Sequence, residues 1–159
     1  MAEAGRAERV TIDQLGARGD GVANTATGPV YVPYALPGET AEVERHGSRG
    51  RLLAVPEVSA DRAEPFCPYF GACGGCVAQH VGPALYGAWK RGIVASALAK
   101  AGIAAELEPL VDAHGEGRRR ITLHARFHRD TPRVGYMAPR SHDLVEIALC
   151  PIAEPALKA

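Results

Sequence analysis

The stretch Cys67-Pro68-Tyr69-Phe70-Gly71-Ala72-Cys73-Gly74-Gly75-Cys76 decides how this chain folds. Four of its ten residues are glycine or proline, which argues against a regular helix or strand here. Three cysteines have the spacing Cys-x5-Cys-x2-Cys, and the fourth, Cys150, lies 74 residues further on and precedes Pro151. This composition predicts a loop that wraps closely around a bound group.

The four cysteines allow several chemical interpretations. Disulfides are rare in cytoplasmic proteins, and a Cys-x-x-Cys redox pair normally opens a helix, whereas Gly74 and Gly75 separate the last two cysteines of the loop. Four thiolates can hold Zn²⁺ or an iron–sulfur cluster, and a local triplet with a remote fourth ligand is typical of some ferredoxins. Small residues let backbone N–H groups approach the sulfides of a cluster. The pattern therefore favours [4Fe–4S], with zinc or unligated buried cysteines as alternatives.

Upstream of this loop, residues 10–58 have the pattern of short strands separated by turns. Apolar residues alternate with polar ones at Val10/Ile12, Val30/Val32 and Ala41/Val43, and Leu52, Leu53 and Val55 complete the set. Four or five strands at roughly ten-residue spacing predict a small closed barrel or a sandwich. The glycines of Gly16-x-x-Gly19-x-Gly21 lack the strand and helix that flank a phosphate-binding fingerprint, so they predict a turn. Residues 1–9 are predicted to be flexible and 59–66 to be a linker.

Downstream, residues 67–159 have the pattern of a small α+β domain. Pro83 fits the first turn of a helix and Gly102 its C-terminal left-handed position. Between them runs an apolar stripe of Tyr86, Trp89, Ile93, Val94, Ala97, Leu98 and Ala101. Strands are predicted at 121–128, where residues alternate between an apolar and a polar face, and near 133–137 and 144–149. We expect the helix to pack on this antiparallel sheet, and His80 to cap or pack near the cysteine loop.

The composition and charge distribution of the chain exclude some classes of protein and favour others. Hydrophobic residues make up 47% and charged residues 23%, which excludes disorder across the whole chain. No apolar run is long enough for a membrane span and the first residues contain no signal core, so a cytoplasmic location is the expectation. The 18 basic and 18 acidic residues balance, but residues 118–140 hold seven arginines and one acid. Such a basic segment is the electrostatic footprint expected for a nucleic-acid partner.

Several motifs together resemble a known family. The segment Cys67-Pro-Tyr-Phe-Gly-Ala-Cys-Gly-Gly-Cys-Val-Ala-Gln-His80 resembles the cluster motif of bacterial RNA uracil-C5 methyltransferases, which make 5-methyluridine in 23S ribosomal RNA and have relatives acting on transfer RNA. Gly16-Ala-Arg-Gly-Asp-Gly-Val-Ala23 and Val30-Tyr-Val-Pro-Tyr-Ala-Leu-Pro-Gly-Glu39 are similar to the family's TRAM domain, an OB-like RNA-binding barrel. Arg119-Arg-Ile-Thr-Leu-His-Ala-Arg126 and Val134-Gly-Tyr-Met-Ala-Pro-Arg-Ser-His-Asp143 resemble its central domain.

The resemblance covers about residues 10–155 and implies a division of the chain. Residues 10–58 would form the TRAM-like OB barrel and 67–159 the iron–sulfur central domain, incomplete without a catalytic domain. It also implies that the [4Fe–4S] ligands are Cys67, Cys73, Cys76 and Cys150. From the basic segment, RNA contacts are predicted for Arg118, Arg119, Arg120, Arg126, Arg129 and Arg140.

The resemblance also shows what the chain lacks. Family members continue with a Rossmann-like domain that binds S-adenosylmethionine and supplies a nucleophilic cysteine and a base. No such domain is recognisable here, so the chain is predicted to be inactive alone, either as a truncated product or as half of a split enzyme with a separate catalytic chain. The predicted partner is ribosomal or transfer RNA, and no membrane partner is expected. The alternative function is a stand-alone iron–sulfur or zinc module that binds RNA, acts as an adaptor or senses redox state.

Overall fold

The computed structural model describes residues 6–111, 117–128 and 131–157, and it is mostly β with one α-helix. These residues form two compact units. Unit 1 contains the described residues of Met1–Ala63 and His80–Leu110, and unit 2 those of Glu64–Gln79 and Val111–Ala159. The β-rich, α+β class predicted from the sequence is confirmed at this level.

Unit 1 is built on a six-stranded sheet whose order is β1-β5-β6-β4-β3-β2. The strands are β1 Arg6–Thr11, β2 Gln14–Leu15, β3 Asp20–Thr25, β4 Gly28–Pro33, β5 Thr40–His46 and β6 Arg49–Glu57. Neighbouring strands are antiparallel except β4 and β6, which are parallel. The core contains the predicted alternating residues and more: Val10, Ile12, Ala23, Val30, Val32, Ala35, Ala41 and Val43, with Leu52 packed against them.

The sheet differs from the sequence prediction in three ways. Its hydrogen-bonded order ends at β1 and β2, so the described strands do not close into the predicted barrel, although only Ile12 and Asp13 separate these two edge strands along the chain. β1 begins at Arg6, inside the segment 1–9 that was predicted to be flexible. Leu53 is exposed while Leu52 packs inward, because successive strand residues face opposite sides.

The sequence pattern does not predict the short strand β2, and it does not predict β3 because Asp20-Gly21 has the composition of a turn. The turn ends at Gly19, whose φ is 86°, and Asp20 already pairs with Pro33. Gly21 lies within the strand. The residue there has to be glycine, because a Cβ would come within 2.6 Å of the Ala35 carbonyl oxygen. Glycine here serves a close approach of two backbones rather than a hairpin turn.

A buried ion pair links the predicted linker to the sheet of unit 1. The Glu39 carboxylate is fully buried and accepts hydrogen bonds from Arg62 Nε at 2.6 Å and an Arg62 terminal nitrogen at 2.7 Å. It also accepts from the backbone N–H groups of Leu36 at 2.8 Å and Ser59 at 3.3 Å. Arg62 donates further to the Tyr34 carbonyl oxygen at 2.7 Å. Residues 59–62 are therefore fastened to the sheet.

The helix α1 spans Pro83–Lys100, with proline in its first turn and Gly102 at a φ of 71°, as predicted. It groups with unit 1 rather than with the downstream sheet on which we expected it to pack. Trp89 Nε1 donates to the Gly16 carbonyl oxygen at 2.9 Å. None of the residues of α1 is fully buried, so its apolar stripe is only partly covered. No helix in the described part of the chain is long and apolar enough to cross a membrane.

Unit 2 contains the cysteine loop and a three-stranded antiparallel sheet of β7 His124–His128, β8 Thr131–Met137 and β9 Leu144–Glu146. A short 3-10 helix, Pro155–Leu157, follows. The three predicted strands are confirmed, with shorter bounds for the first and third. The predicted apolar face of β7 is not buried, and Phe127 is 76% exposed.

Acid is expected to destabilise unit 1 through His80. Burial and the Arg62 charge together lower the pKa of this side chain from 6.5 to about 4, against the opposing charge of Glu39. Below pH 6.5 the His80 imidazole is protonated in the unfolded chain, whereas in the folded chain it becomes protonated only near pH 4. The free energy of unfolding should therefore decrease as the pH is lowered through this window, by up to about 1.4 kcal/mol per pH unit.

Urea unfolding at several pH values, followed by the fluorescence of Trp89 in unit 1, measures this loss. The variant His80→Gln should flatten the dependence between pH 6.5 and 4, whereas His46→Gln, which changes an exposed side chain, should leave it unchanged. An identical pH profile for His80→Gln and the wild type would contradict the assignment.

Candidate metal centre

One cavity of unit 2, with a volume of about 300 Å³, is lined by all four cysteines. Cys67, Cys73 and Cys76 come from the loop, and Cys150 comes from the segment after β9. All four are free thiols of intermediate exposure, which differs from the alternative of unligated buried cysteines. The structure therefore brings the remote cysteine to the local triplet.

Turns and close backbone contacts give the loop its shape. Phe70 N–H donates to the Cys67 carbonyl oxygen at 3.0 Å, and Cys73 N–H to that of Tyr69 at 2.8 Å. Gly74 N–H donates to the Met137 carbonyl oxygen at 2.9 Å, where a Cβ on Gly74 would approach the same oxygen to 2.7 Å. Only glycine allows the loop to lie this close to the end of β8.

Cys150 is held by contacts on both sides of it in the sequence. The Tyr69 hydroxyl accepts a hydrogen bond from Ala148 N–H at 3.0 Å, which ties the segment after β9 to the cysteine loop. On the other side, Arg118 N–H donates to the Ile152 carbonyl oxygen at 2.8 Å, and Glu154 N–H donates to the Arg118 carbonyl oxygen at 3.1 Å. Hydrogen bonds thus fix the backbone position on both sides of Cys150.

The electrostatics of the cavity disfavour four uncompensated thiolates. Burial raises the pKa of the Cys76 thiol, the neighbouring Gln79 amide lowers it, and the other three cysteines raise it again by repulsion. Burial and the contact with Cys150, whose Sγ lies 3.9 Å from the hydroxyl, raise the pKa of Tyr136 to about 12. Tyr136 is therefore a neutral hydrogen-bond donor beside the Cys150 sulfur at physiological pH.

Two polar groups point to a sulfur-rich ligand. Gly75 N–H donates to Cys73 Sγ at 3.4 Å, the kind of N–H···S bond that tunes iron–sulfur centres. Gln79 fixes its side chain by accepting from Cys67 N–H at 3.2 Å, and its Nε2 is buried without an aligned hydrogen-bond partner among the described residues. A buried amide donor at the cavity wall is suited to a sulfide or thiolate acceptor.

The four thiols are not grouped tightly around one point. Among the residues that the structure describes, no three or more His, Cys, Asp or Glu side chains are grouped to hold a metal ion. A tetrahedral zinc site needs four sulfurs about 3.8 Å apart, as follows from Zn–S bonds of about 2.3 Å. A four-iron cluster would instead take one thiolate for each iron.

The arginines predicted to contact RNA fall into three groups. Arg118 and Arg120 line the cysteine cavity. All five of these arginines that the structure describes are exposed, and Arg119, Arg126 and Arg140 lie outside the cavity. Arg126 also donates to the His142 carbonyl oxygen at 2.7 Å. Arg129 lies outside the described residues. The described part of the basic segment is thus at the surface, with two of its arginines also lining the cavity.

Sequence reasoning did not find the residues that shape the cavity between the cysteines. Tyr69 and Gln79 carried a detectable signal, since both lie in or beside the motif. Tyr136 carried none, because nothing in the local sequence of β8 indicates that it contacts Cys150.

Comparisons with known proteins relate the chain to RNA methyltransferases. No family model matches the chain. The chain is 43% identical over 154 residues to an uncharacterized RNA methyltransferase of Rhizobium meliloti, and 40% over 156 residues to one of Agrobacterium fabrum. It is 35% identical over 158 residues to the 23S rRNA (uracil(1939)-C(5))-methyltransferase RlmD of Yersinia enterocolitica.

These alignments cover 93–94% of this chain and 36–38% of each relative. The chain thus spans a little over a third of the length of the relatives that it matches. The resemblance to bacterial RNA methyltransferases that the motifs indicated is confirmed, and the chain is homologous to one part of them.

Proposed function

We propose that this chain is the RNA-binding, [4Fe–4S]-carrying N-terminal part of an RNA uracil-C5 methyltransferase. The observation that carries this proposal is the cavity of unit 2, where Cys150 lines the same wall as the three cysteines of the loop. The relatives named as RNA methyltransferases supply the reaction class.

The cavity fits a cluster in its donors as well as in its cysteines. Four thiols supply one ligand for each iron of a cubane. The Gly75 N–H and the Gln79 amide supply hydrogen-bond donors to sulfur, and Tyr136 supplies a third beside Cys150. Hydrogen-bond donors beside the ligating sulfurs tune the stability and potential of metal centres.

The role proposed for the cluster is structural. When bound, it supplies a crosslink between the cysteine loop and the segment after β9. Closing a loop of the length between Cys76 and Cys150 restricts the unfolded chain by an amount on the order of 4 kcal/mol. The chain's own residues do the rest: Tyr69 and Arg118 hold the Cys150 segment in place by hydrogen bonds.

The RNA surface is proposed to include the sheet of unit 1, as a TRAM-like module, and the exposed arginines of unit 2. The six-stranded sheet of unit 1 has its two edge strands in one nearly continuous stretch of chain, which is compatible with an OB-like topology. Arg119, Arg126 and Arg140 place exposed guanidinium groups on unit 2. Such groups bind phosphates and the faces of unpaired bases.

Methyl transfer is proposed for the whole protein of which this chain is a part. Addition of a methyl group at C5 of uracil requires a thiolate that attacks C6 and a base that later removes the C5 proton. In the proposed assignment all four thiols of this chain bind the cluster, so none is left to attack. S-adenosylmethionine would bind in a part of the whole protein outside these 159 residues.

Anaerobic purification with iron and acid-labile sulfide analysis tests the cluster directly. We expect about four irons and four sulfides per chain and a broad absorption near the blue end of the spectrum. One zinc and no sulfide, or a metal-free chain that stays folded in the presence of a chelator, would contradict the proposal.

Substitution of the exposed arginines is expected to weaken RNA binding. The triple variant Arg119→Gln/Arg126→Gln/Arg140→Gln removes three candidate phosphate contacts, so the slope of log K against log salt should fall by about 2, at roughly 0.7 per contact with a single strand. Fluorescence anisotropy with a labelled single-stranded RNA at a series of salt concentrations measures this slope.

Arg133→Gln is the matched control, because it removes an arginine of the same sheet whose guanidinium is paired with Glu146 at 2.8 Å. Its effect on RNA affinity should be clearly smaller than that of the triple variant. Affinity that is independent of salt, or unchanged in the triple variant, would favour an adaptor that binds protein instead of RNA.

A further inference from the structure

Two of the seven arginines in the basic segment lie on the wall of the cysteine cavity. Arg118 and Arg120 line it together with all four cysteines. Arg119, between them in sequence, does not line the cavity. Arg118 forms an isolated bridge and the chain bends at Arg119, so neighbouring side chains of this short segment take different directions.

The backbone of Arg118 is fixed against the segment that carries Cys150. It forms a parallel bridge with Ala153, through hydrogen bonds of 2.8 and 3.1 Å. Gly117, at a φ of 99°, allows this approach, since a Cβ there would lie 2.9 Å from the Glu154 nitrogen. The Arg118 side chain is thus anchored at its base within a few residues of a cysteine sulfur.

The charges of the cavity wall are one-sided. Among the residues that the structure describes, no aspartate or glutamate lines it. Neither Arg118 nor Arg120 forms an ion pair with a carboxylate of that part of the chain. Guanidinium groups stay protonated at any physiological pH, so an anionic group held by the cysteines would meet positive charge at this wall.

A cubane with four thiolate ligands is a net anion, and its negative charge increases by one unit on reduction. We propose that Arg118 and Arg120 are positioning residues of the metal centre rather than RNA contacts. Their charges stabilise the anionic cluster and make its reduction potential less negative. This inference rests on the proposed function. Cationic neighbours favour the reduced state and oppose loss of the cluster, because removing them leaves the negative charge uncompensated in a partly dry cavity.

The experiment compares Arg118→Gln/Arg120→Gln with Arg119→Gln in the anaerobically purified chain. The double variant should show a midpoint potential more negative than that of the wild type and lose iron to a chelator several-fold faster. Its RNA affinity should remain close to that of the wild type. Arg119→Gln should leave the potential and the rate of iron loss unchanged while it weakens RNA binding.

A charge-preserving variant separates electrostatics from folding. Arg118→Lys/Arg120→Lys keeps both cations, so it should restore most of the potential and much of the resistance to chelator. If the Gln pair keeps the wild-type potential and iron-loss rate but loses RNA affinity, the two arginines contact phosphate and the inference is overturned. If the wild type itself binds no iron, the proposed function fails first, which is a distinguishable result.

Discussion

Replacing Cys150 with alanine (Cys150→Ala) is expected to reduce the bound iron from about four atoms per chain to a small fraction of that. Its thiol is the only one of the four proposed ligands that does not come from the loop. A cubane with three protein thiolates would leave its fourth iron without a protein ligand, and the Tyr136 hydroxyl would lose the sulfur beside it.

The same substitution is expected to loosen unit 2 while leaving unit 1 intact. The crosslink between the loop and the segment after β9 would be lost, which destabilises unit 2 by an amount on the order of 4 kcal/mol. Amide hydrogen exchange should accelerate in β8 and β9 and in residues 117–120. The fluorescence of Trp89, which belongs to unit 1, should change little.

Val77→Ala is the matched control, since Val77 lies directly after Cys76 and is half exposed. It shortens a side chain of the same loop without removing a thiol, so iron content and exchange rates should match those of the wild type. A full complement of iron in Cys150→Ala, with wild-type exchange in β8 and β9, would show that Cys150 is not a ligand.

Much of unit 1 was predictable because strands and turns leave local signals. The alternation of Val30 with Val32, and of Ala41 with Val43, reports a strand with one buried face, and the structure buries all four. Strand β3 escaped because Gly21 is used for a close backbone approach rather than a turn. The sequence also did not predict that the hydrogen-bonded sheet stays open, since strand pairing depends on contacts between residues distant in sequence.

The candidate site shows a similar division between local and distant information. The spacing of Cys67, Cys73 and Cys76 identified the loop and suggested that Cys150 belongs with it. Charge alone could not separate Arg118 and Arg120 from Arg119, because their different directions depend on the bridge to Ala153. The helix α1 was predicted correctly, but the unit to which it belongs was not. An apolar stripe does not indicate which element it packs against.

The buried carboxylate of Glu39 gives the largest expected effect on the stability of unit 1. Its two oxygens accept four hydrogen bonds, two of them from Arg62, and no part of the side chain reaches solvent. Glu39→Gln keeps the shape but turns one acceptor into a donor that faces other donors. Removing one partner of a buried ion pair costs about 3–5 kcal/mol, a large share of the stability of a small unit.

Urea unfolding followed by Trp89 fluorescence measures this loss, and Glu42→Gln is its control. Glu42 forms an exposed pair with Arg9 at 2.6 Å, so its loss should cost about 1 kcal/mol or less. The same ion pair holds the pKa of Glu39 below its usual value despite the opposing effect of burial, so part of this stability should disappear as the pH falls below about 4.5. The double variant Glu39→Met/Arg62→Met should recover part of the loss, because apolar side chains leave no buried charge unpaired. Equal destabilisation by Glu39→Gln and Glu42→Gln would mean that the linker is not fastened to the sheet through this pair.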